Sequence, residues 1–205
     1  AAFKAEQSTD DLAQNLDKIP VNYDRIGLEW WTALLCSDVP GAKVTAYKPI
    51  APDDLNRGHM RVLLEYNEVG RATGLPASVF CKDSQGLAIR LFNALCDTVQ
   101  PEIIFYKHIK SLLGIEAPTA LYANYDKDTH NSLLVMDDLD IDGAQFCLPS
   151  TTITRSLIES QLDYLAFLHG RFYGKTADQP LVAGLRTFRA NSLKYEEAID
   201  LPGST

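Results

Sequence analysis

The sequence predicts an α+β fold: a five-stranded antiparallel sheet with helices inserted after the third strand and further helices following the fifth. Three observations predict it. Alternating runs separated by Gly-, Asn- and Asp-containing turns fill residues 42–82. Helical spacing takes over at 85–114. A second pair of strand-like runs at 119–139 then gives way to an apolar stripe of helical period.

In chain order, residues 1–25 carry mixed polarity with weak periodicity and read as a loosely attached lead-in. Ile26, Trp30, Leu34 and Leu35 recur at helical spacing, with Asp24 as a candidate cap, and predict a helix over 25–37 that Pro40-Gly41 ends. Residues 42–50 form the first strand, and the polar stretch 51–58 is a turn. His59–Tyr66 is the second strand, with Val62, Leu64 and Tyr66 on one face and Arg61, Leu63 and Glu65 on the other. Residues 67–75 read as a second turn region. Residues 77–82 are the third strand, Val79 and Cys81 opposed to Phe80 and Lys82, which completes an antiparallel meander.

A helix is expected over 85–95, with Leu87, Leu91 and Leu95 on one face. A cleaner one is expected over 100–114: Pro101 suits its first turn, Glu102 complements its dipole and Gly114 can end it. Residues 119–125 and 132–139 pair as a hairpin around 126–131. The stretch 140–150 is the best candidate boundary. Ile158, Leu162, Leu165, Leu168 and Phe172 then form an apolar stripe over 153–172, and 184–199 is again helix-like. The domain reading is therefore lead-in and helix at 1–40, sheet unit at 41–139, linker at 140–150 and the start of a helical unit at 151–205, expected to be incomplete where the chain stops at Thr205.

The composition is that of a soluble globular protein, 46% hydrophobic and 22% charged. The formal charge of −8, from 27 acids and 19 bases, comes with no basic stripe, and this argues against a nucleic-acid partner. No apolar run approaches the roughly 20 residues that cross a membrane, so no membrane partner is expected. Four cysteines are too few to staple the chain; Cys36, Cys81 and Cys96 lie among apolar neighbours and read as buried free thiols in a cytoplasmic protein. No two of the four histidines have metal-ligand spacing on one helix. His169, late in the apolar helix, is expected to pack or hydrogen-bond. Trp30 and Trp31 read as core or surface anchors.

The chemistry centres on Lys82, which ends a strand, and Glu102, which opens a strong helix. A nucleoside triphosphate needs a fixed cation on its phosphates, and a lysine supplies one only if its flexible stem is held. A carboxylate on a facing helix holds it through a charge-assisted hydrogen bond. Taken alone, two such charges also read as solvated surface groups; the hairpin context favours the clamp. The loop Asp53–Gly58, with Asn56, Arg57 and Gly58, lies where backbone N–H groups can cover phosphates. Neither glycine-rich phosphate fingerprint occurs in the chain. Residues Val135, Met136, Asp137 and Leu139 occupy a hinge-like strand end where backbone groups can read an adenine edge, and a solvated acidic turn at Asp137-Asp138 is the competing reading.

These pieces resemble the aminoglycoside/choline phosphotransferase superfamily, most closely its ecdysteroid kinase-like and related bacterial members. The matching segments are ASVFCK with Lys82, PEIIFYKHI with Glu102, the hinge-like SLLVMDDL and the helix LDYLAFLHGRFYG, covering about residues 42–174. The resemblance implies a protein-kinase-like fold whose N-lobe grips ATP through Lys82 and Glu102, followed by the opening helices of an incomplete helical C-lobe. It implies ATP and Mg²⁺ as cofactors and transfer of phosphate to the hydroxyl of a small molecule. The family's catalytic and metal-holding aspartates have no counterpart here: no His-Gly-Asp-like loop follows His169, and 53–58 is poorer in glycine than in many relatives. The resemblance therefore places the catalytic groups beyond Thr205, in a longer parent protein. The leading expectation is the nucleotide-binding half of a small-molecule kinase, nearly inactive by itself. The alternative is a catalytically inactive nucleotide-binding or interaction module.

Overall fold

Alternation in the early runs becomes sheet in the computed structural model, which describes residues 2–8, 11–50, 59–83, 86–139, 143–144, 147, 149–175, 182 and 185–199. The elements are α1 (Ala2–Gln7), α2 (Leu28–Leu35), β1 (Val44–Ile50), β2 (His59–Tyr66), α3 (Glu68–Ala72), β3 (Ser78–Asp83), α4 (Leu87–Cys96), α5 (Val99–Ile104), β4 (Ala120–Tyr125), β5 (Ser132–Asp137), α6 (Arg155–Phe172) and α7 (Phe188–Ile199). The five strands form one antiparallel sheet in the order β1-β2-β3-β5-β4. The meander and the later hairpin are both present, and the hairpin joins through β5 against β3. This is the expected α+β arrangement, a kinase-like N-lobe topology with C-terminal helices after it.

The period-2 pattern sorts the sheet into two faces. On one, Val62, Leu64, Tyr66, Val79, Cys81, Leu133 and Val135 are buried beneath Trp30 and Trp31, both fully enclosed. The indoles pack edge-to-face with centroids 5.1 Å apart, and Trp30 meets Tyr122 at 5.0 Å. Cys36, Cys81 and Cys96 are buried free thiols, as their apolar neighbours indicate.

The lead-in is not loosely attached. Ala13, Val21 and Tyr23 are buried, and Ala13 forms a parallel bridge to Ile26: its N–H donates to the Arg25 carbonyl at 2.8 Å, and its own carbonyl accepts from Gly27. Tyr47 donates its hydroxyl to the carbonyls of Tyr23 and Ile26, and Tyr122 donates to that of Leu16. These partners are distant in sequence, so weak local periodicity could not reveal them. The first long helix accordingly starts at Leu28, after Gly27, and not at residue 25.

Residues 67–75 are more than a turn: Asn67 accepts from Gly70 N–H at 3.1 Å and caps the short helix α3. The helix expected over 100–114 is composite. After α5 it widens into a π turn at Phe105–Ile109 and tightens into a 3-10 turn at Lys110–Leu112, before Gly114 ends it at φ +60°. In α4 the leucines share a face, but it is the outer one: Leu87, Leu91 and Leu95 are exposed while Arg90, Asn93 and Cys96 are buried. Arg90 is turned inward by Glu6 and by the Thr129 carbonyl. The stripe on α6 is also exposed at Ile158, Leu162 and Leu165, and His169 is exposed rather than packed. No helix among the described residues is long and apolar enough to cross a membrane.

Candidate functional site

The second face of the sheet carries the candidate site. Lys82 sits near the end of β3, opposite His59 of β2 and Leu134 of β5. Alternation turns it away from Val79 and Cys81, hence away from the tryptophan core. The strand-to-helix excursion through α4 and α5 returns the chain over this face. Ile103 of α5 packs on Leu134 and Met136, with Phe80, Val99 and Tyr106 around them.

That packing aims Glu102 at the strand. Lys82 Nζ donates to Glu102 Oε1 at 2.5 Å, and the two side chains remain 32% and 34% exposed. Ion pairs this open contribute only about 0–1 kcal/mol to stability. Its geometric effect is larger: it fixes the end of the Lys82 side chain beside α5 while about a third of that side chain stays exposed. Tyr106 borders the pair. Burial raises its phenol pKa, and the charges of Glu102 and Asp137 raise it further, so it stays a neutral hydroxyl. His59 packs beside Phe80, with ring centroids 5.6 Å apart.

The end of β5 is not a solvated acidic turn. Asp138 is buried. Its Oδ2 accepts from Arg61 Nε at 2.7 Å and from Ser78 Oγ at 2.5 Å, while Oδ1 accepts from Arg61 Nη2 at 3.3 Å. One carboxylate thus ties β2, β3 and the end of β5 together. Asp137 accepts from Thr119 N–H at 2.7 Å, and its own N–H donates to the Thr119 carbonyl. An unpaired carboxylate cannot be buried cheaply, which is why the buried Asp138 is held by a counter-charge and a hydroxyl.

Of the sequence-derived site residues, Lys82, Glu102 and Met136 share one face. Val135 points its side chain into the opposite core. Leu139 lines a separate open cleft of about 710 Å³ with Pro118 and Tyr164, and its carbonyl accepts from Ala144 N–H. Neither that cleft nor a second of about 450 Å³ beside Glu6 and Asn131 is lined by Lys82 or Glu102. Asn56, Arg57 and Gly58, with the rest of the loop 51–58, lie outside the described residues. So does Thr205, with the whole of 200–205. Among the described residues no group of three or more His, Cys, Asp or Glu is placed to hold a metal ion.

The Arg61–Asp138–Ser78 network escaped sequence reasoning. Alternation places Arg61 on the same face as Leu63, but its partner is 77 residues away, and only strand order brings them together. No family model, no curated protein and no solved structure matches the chain.

Proposed function

We propose that this chain grips the phosphates of ATP through Lys82, held in place by Glu102, within an ATP-dependent phosphotransferase that acts on a hydroxyl group of a small molecule. One observation carries the reading: the 2.5 Å pair joining the face of β3 turned away from the tryptophan core to a helix inserted between β3 and β4. A lysine already ordered by a carboxylate loses less freedom when a phosphate arrives. Its ammonium has three donors, of which Glu102 takes one and a phosphate oxygen can take another.

The apolar surface beside the pair comes from the half-buried Phe80, with Met136 buried behind it under α5, and suits the face of a nucleobase. The Arg61–Asp138–Ser78 ties hold the strand end whose backbone would face its edge. Mg²⁺, which accompanies ATP in this reading, would neutralise phosphate charge during in-line transfer. This chain's own contribution is to bind and orient the triphosphate.

The test is consumption of MgATP by the protein over a panel of amino alcohols, sugars and steroid-like alcohols, with MgATP affinity measured in parallel. Lys82→Ala is expected to weaken MgATP at least tenfold. Unchanged affinity and turnover in that variant would remove Lys82 from the site. Binding without turnover on any acceptor would leave a nucleotide-binding module.

A further inference from the structure

Helices α4 and α5 meet at Asp97. Asp97 closes α4 in a left-handed conformation, φ 51° and ψ 46°, which Asp tolerates better than most residues. Its N–H donates to the Asn93 carbonyl at 2.7 Å, and Thr98 Oγ1 donates to Asn93 Oδ1 at 2.8 Å, with Asn93 itself buried. The corner is therefore a built bend.

A residue far along the chain closes it from outside. Arg186, two residues before α7, places Nη2 2.6 Å from Asp97 Oδ2, with the Asp97 side chain 13% exposed and that of Arg186 30%. Helix α7 then lies against α4. Tyr125 registers both charges: burial raises its phenol pKa, Asp97 and Asp126 raise it further, and Arg186 opposes them.

Glu102 stands five residues beyond Asp97, in the first turn of α5. Two anchors therefore flank it, the packing of Ile103 on the sheet and the corner at Asp97. Without Arg186 the Asp97 carboxylate has lost its counter-charge in a mostly enclosed place, and outward rotation of the corner would return it to water. Glu102 would be carried with it.

We propose that Arg186 is a positioning residue: acting through Asp97, it fixes the corner between α4 and α5 and so holds Glu102 against Lys82. The consequence for ATP rests on the phosphate-clamp reading above; the effect on the Lys82–Glu102 pair rests on geometry alone. The C-terminal helical segment thereby helps set the state of a pair on the sheet.

The experiment measures the acetylation rate of Lys82 by an amine-reactive ester in the nucleotide-free chain, residue by residue by mass spectrometry. Exposed Lys48 is the internal reference. A lysine paired to a carboxylate reacts slowly, so Glu102→Gln sets the unpaired rate. Arg186→Ala is expected to raise the Lys82 rate about fivefold relative to Lys48. Asp97→Asn, which keeps a residue tolerant of the left-handed bend, is expected to do the same and serves if Arg186→Ala fails to fold. Arg186→Lys, which keeps a positive charge opposite Asp97 and leaves the left-handed residue unchanged, is expected to retain the slow rate; a rate as fast as that of Arg186→Ala overturns the proposal. Slow Lys82 acetylation in Asp97→Asn or in folded Arg186→Ala, or no change in Glu102→Gln, overturns the proposal. A raised rate together with a wild-type chain that binds no MgATP keeps Arg186 as the positioning residue and removes the clamp reading instead.

Discussion

On one face of the sheet Trp30 and Trp31 are fully enclosed and cover an unbroken layer of Val, Leu and Cys side chains. On the other, α5 covers only part of the surface and leaves Lys82 and Glu102 each about a third exposed. The same strands build both, since alternate residues face opposite ways. The sealed face excludes water and supplies stability. The open face has fewer buried apolar groups and charges that water still reaches, which is where a ligand can compete for them. In the proposed reading the two faces divide stability from binding.

Substitutions can break that division, and the largest effect belongs to the sealed face. Trp30→Ala is expected to cost about 3–5 kcal/mol in chemical denaturation, because the indole fills a closed space and its N–H donates to the Lys18 carbonyl. A cost under about 1 kcal/mol would mean that the face is not sealed in solution. Next comes the junction between the faces and the strand end. Arg61→Ala is expected to cost about 2–4 kcal/mol by leaving the buried Asp138 without its counter-charge. Asp138→Asn, which leaves only the more exposed Arg61 to be resolvated, should cost less. The reverse order in urea titrations would show that Asp138 is stabilised chiefly by Ser78.

A smaller effect follows from pH. Burial raises the Cys81 thiol first, and the Asp83 charge raises it further; Tyr23 and Tyr66 are likewise raised mainly by burial. A native group held protonated contributes stability below its unfolded pKa and loses it as pH rises beyond, because the unfolded chain then releases the proton. Stability should therefore fall above about pH 8.5 as Cys81 begins to count, and faster above about pH 10 when the tyrosines join. Flat stability from pH 8 to 10.5 would contradict the enclosure of these groups. Smallest of all, Lys82→Ala should change stability by no more than about 1 kcal/mol while weakening MgATP at least tenfold. A large loss of stability would make Lys82 structural and dissolve the contrast.

Strand and helix identities were legible wherever the local period was clean. His59–Tyr66 has the bounds its alternation indicates, and the Lys82 and Glu102 positions follow from a strand end and a helix start. The failures share one cause. The attachment of residues 11–26, the inward turn of Arg90 and the commitment of Asp138 all depend on partners far along the chain: Asn131 holds the Pro20 carbonyl from 111 residues away, and Glu6 holds Arg90 from 84. No window of ten or fifteen residues contains such a partner.

Helix α4 makes the distinction sharpest. Spacing alone determined that it is a helix and that Leu87, Leu91 and Leu95 share a side, because both follow from 3.6 residues per turn. Which side turns inward was decided by tertiary structure. Arg90 carries a charge that can be enclosed only beside an acid, and Glu6, on the first helix of the chain, is placed to meet it. Likewise the types and order of Lys82 and Glu102 were set locally, whereas their meeting at 2.5 Å required β5 to insert beside β3 and give α5 a floor to pack on. Periodicity is a property of neighbours in sequence; the pairing of charges is a property of neighbours in space.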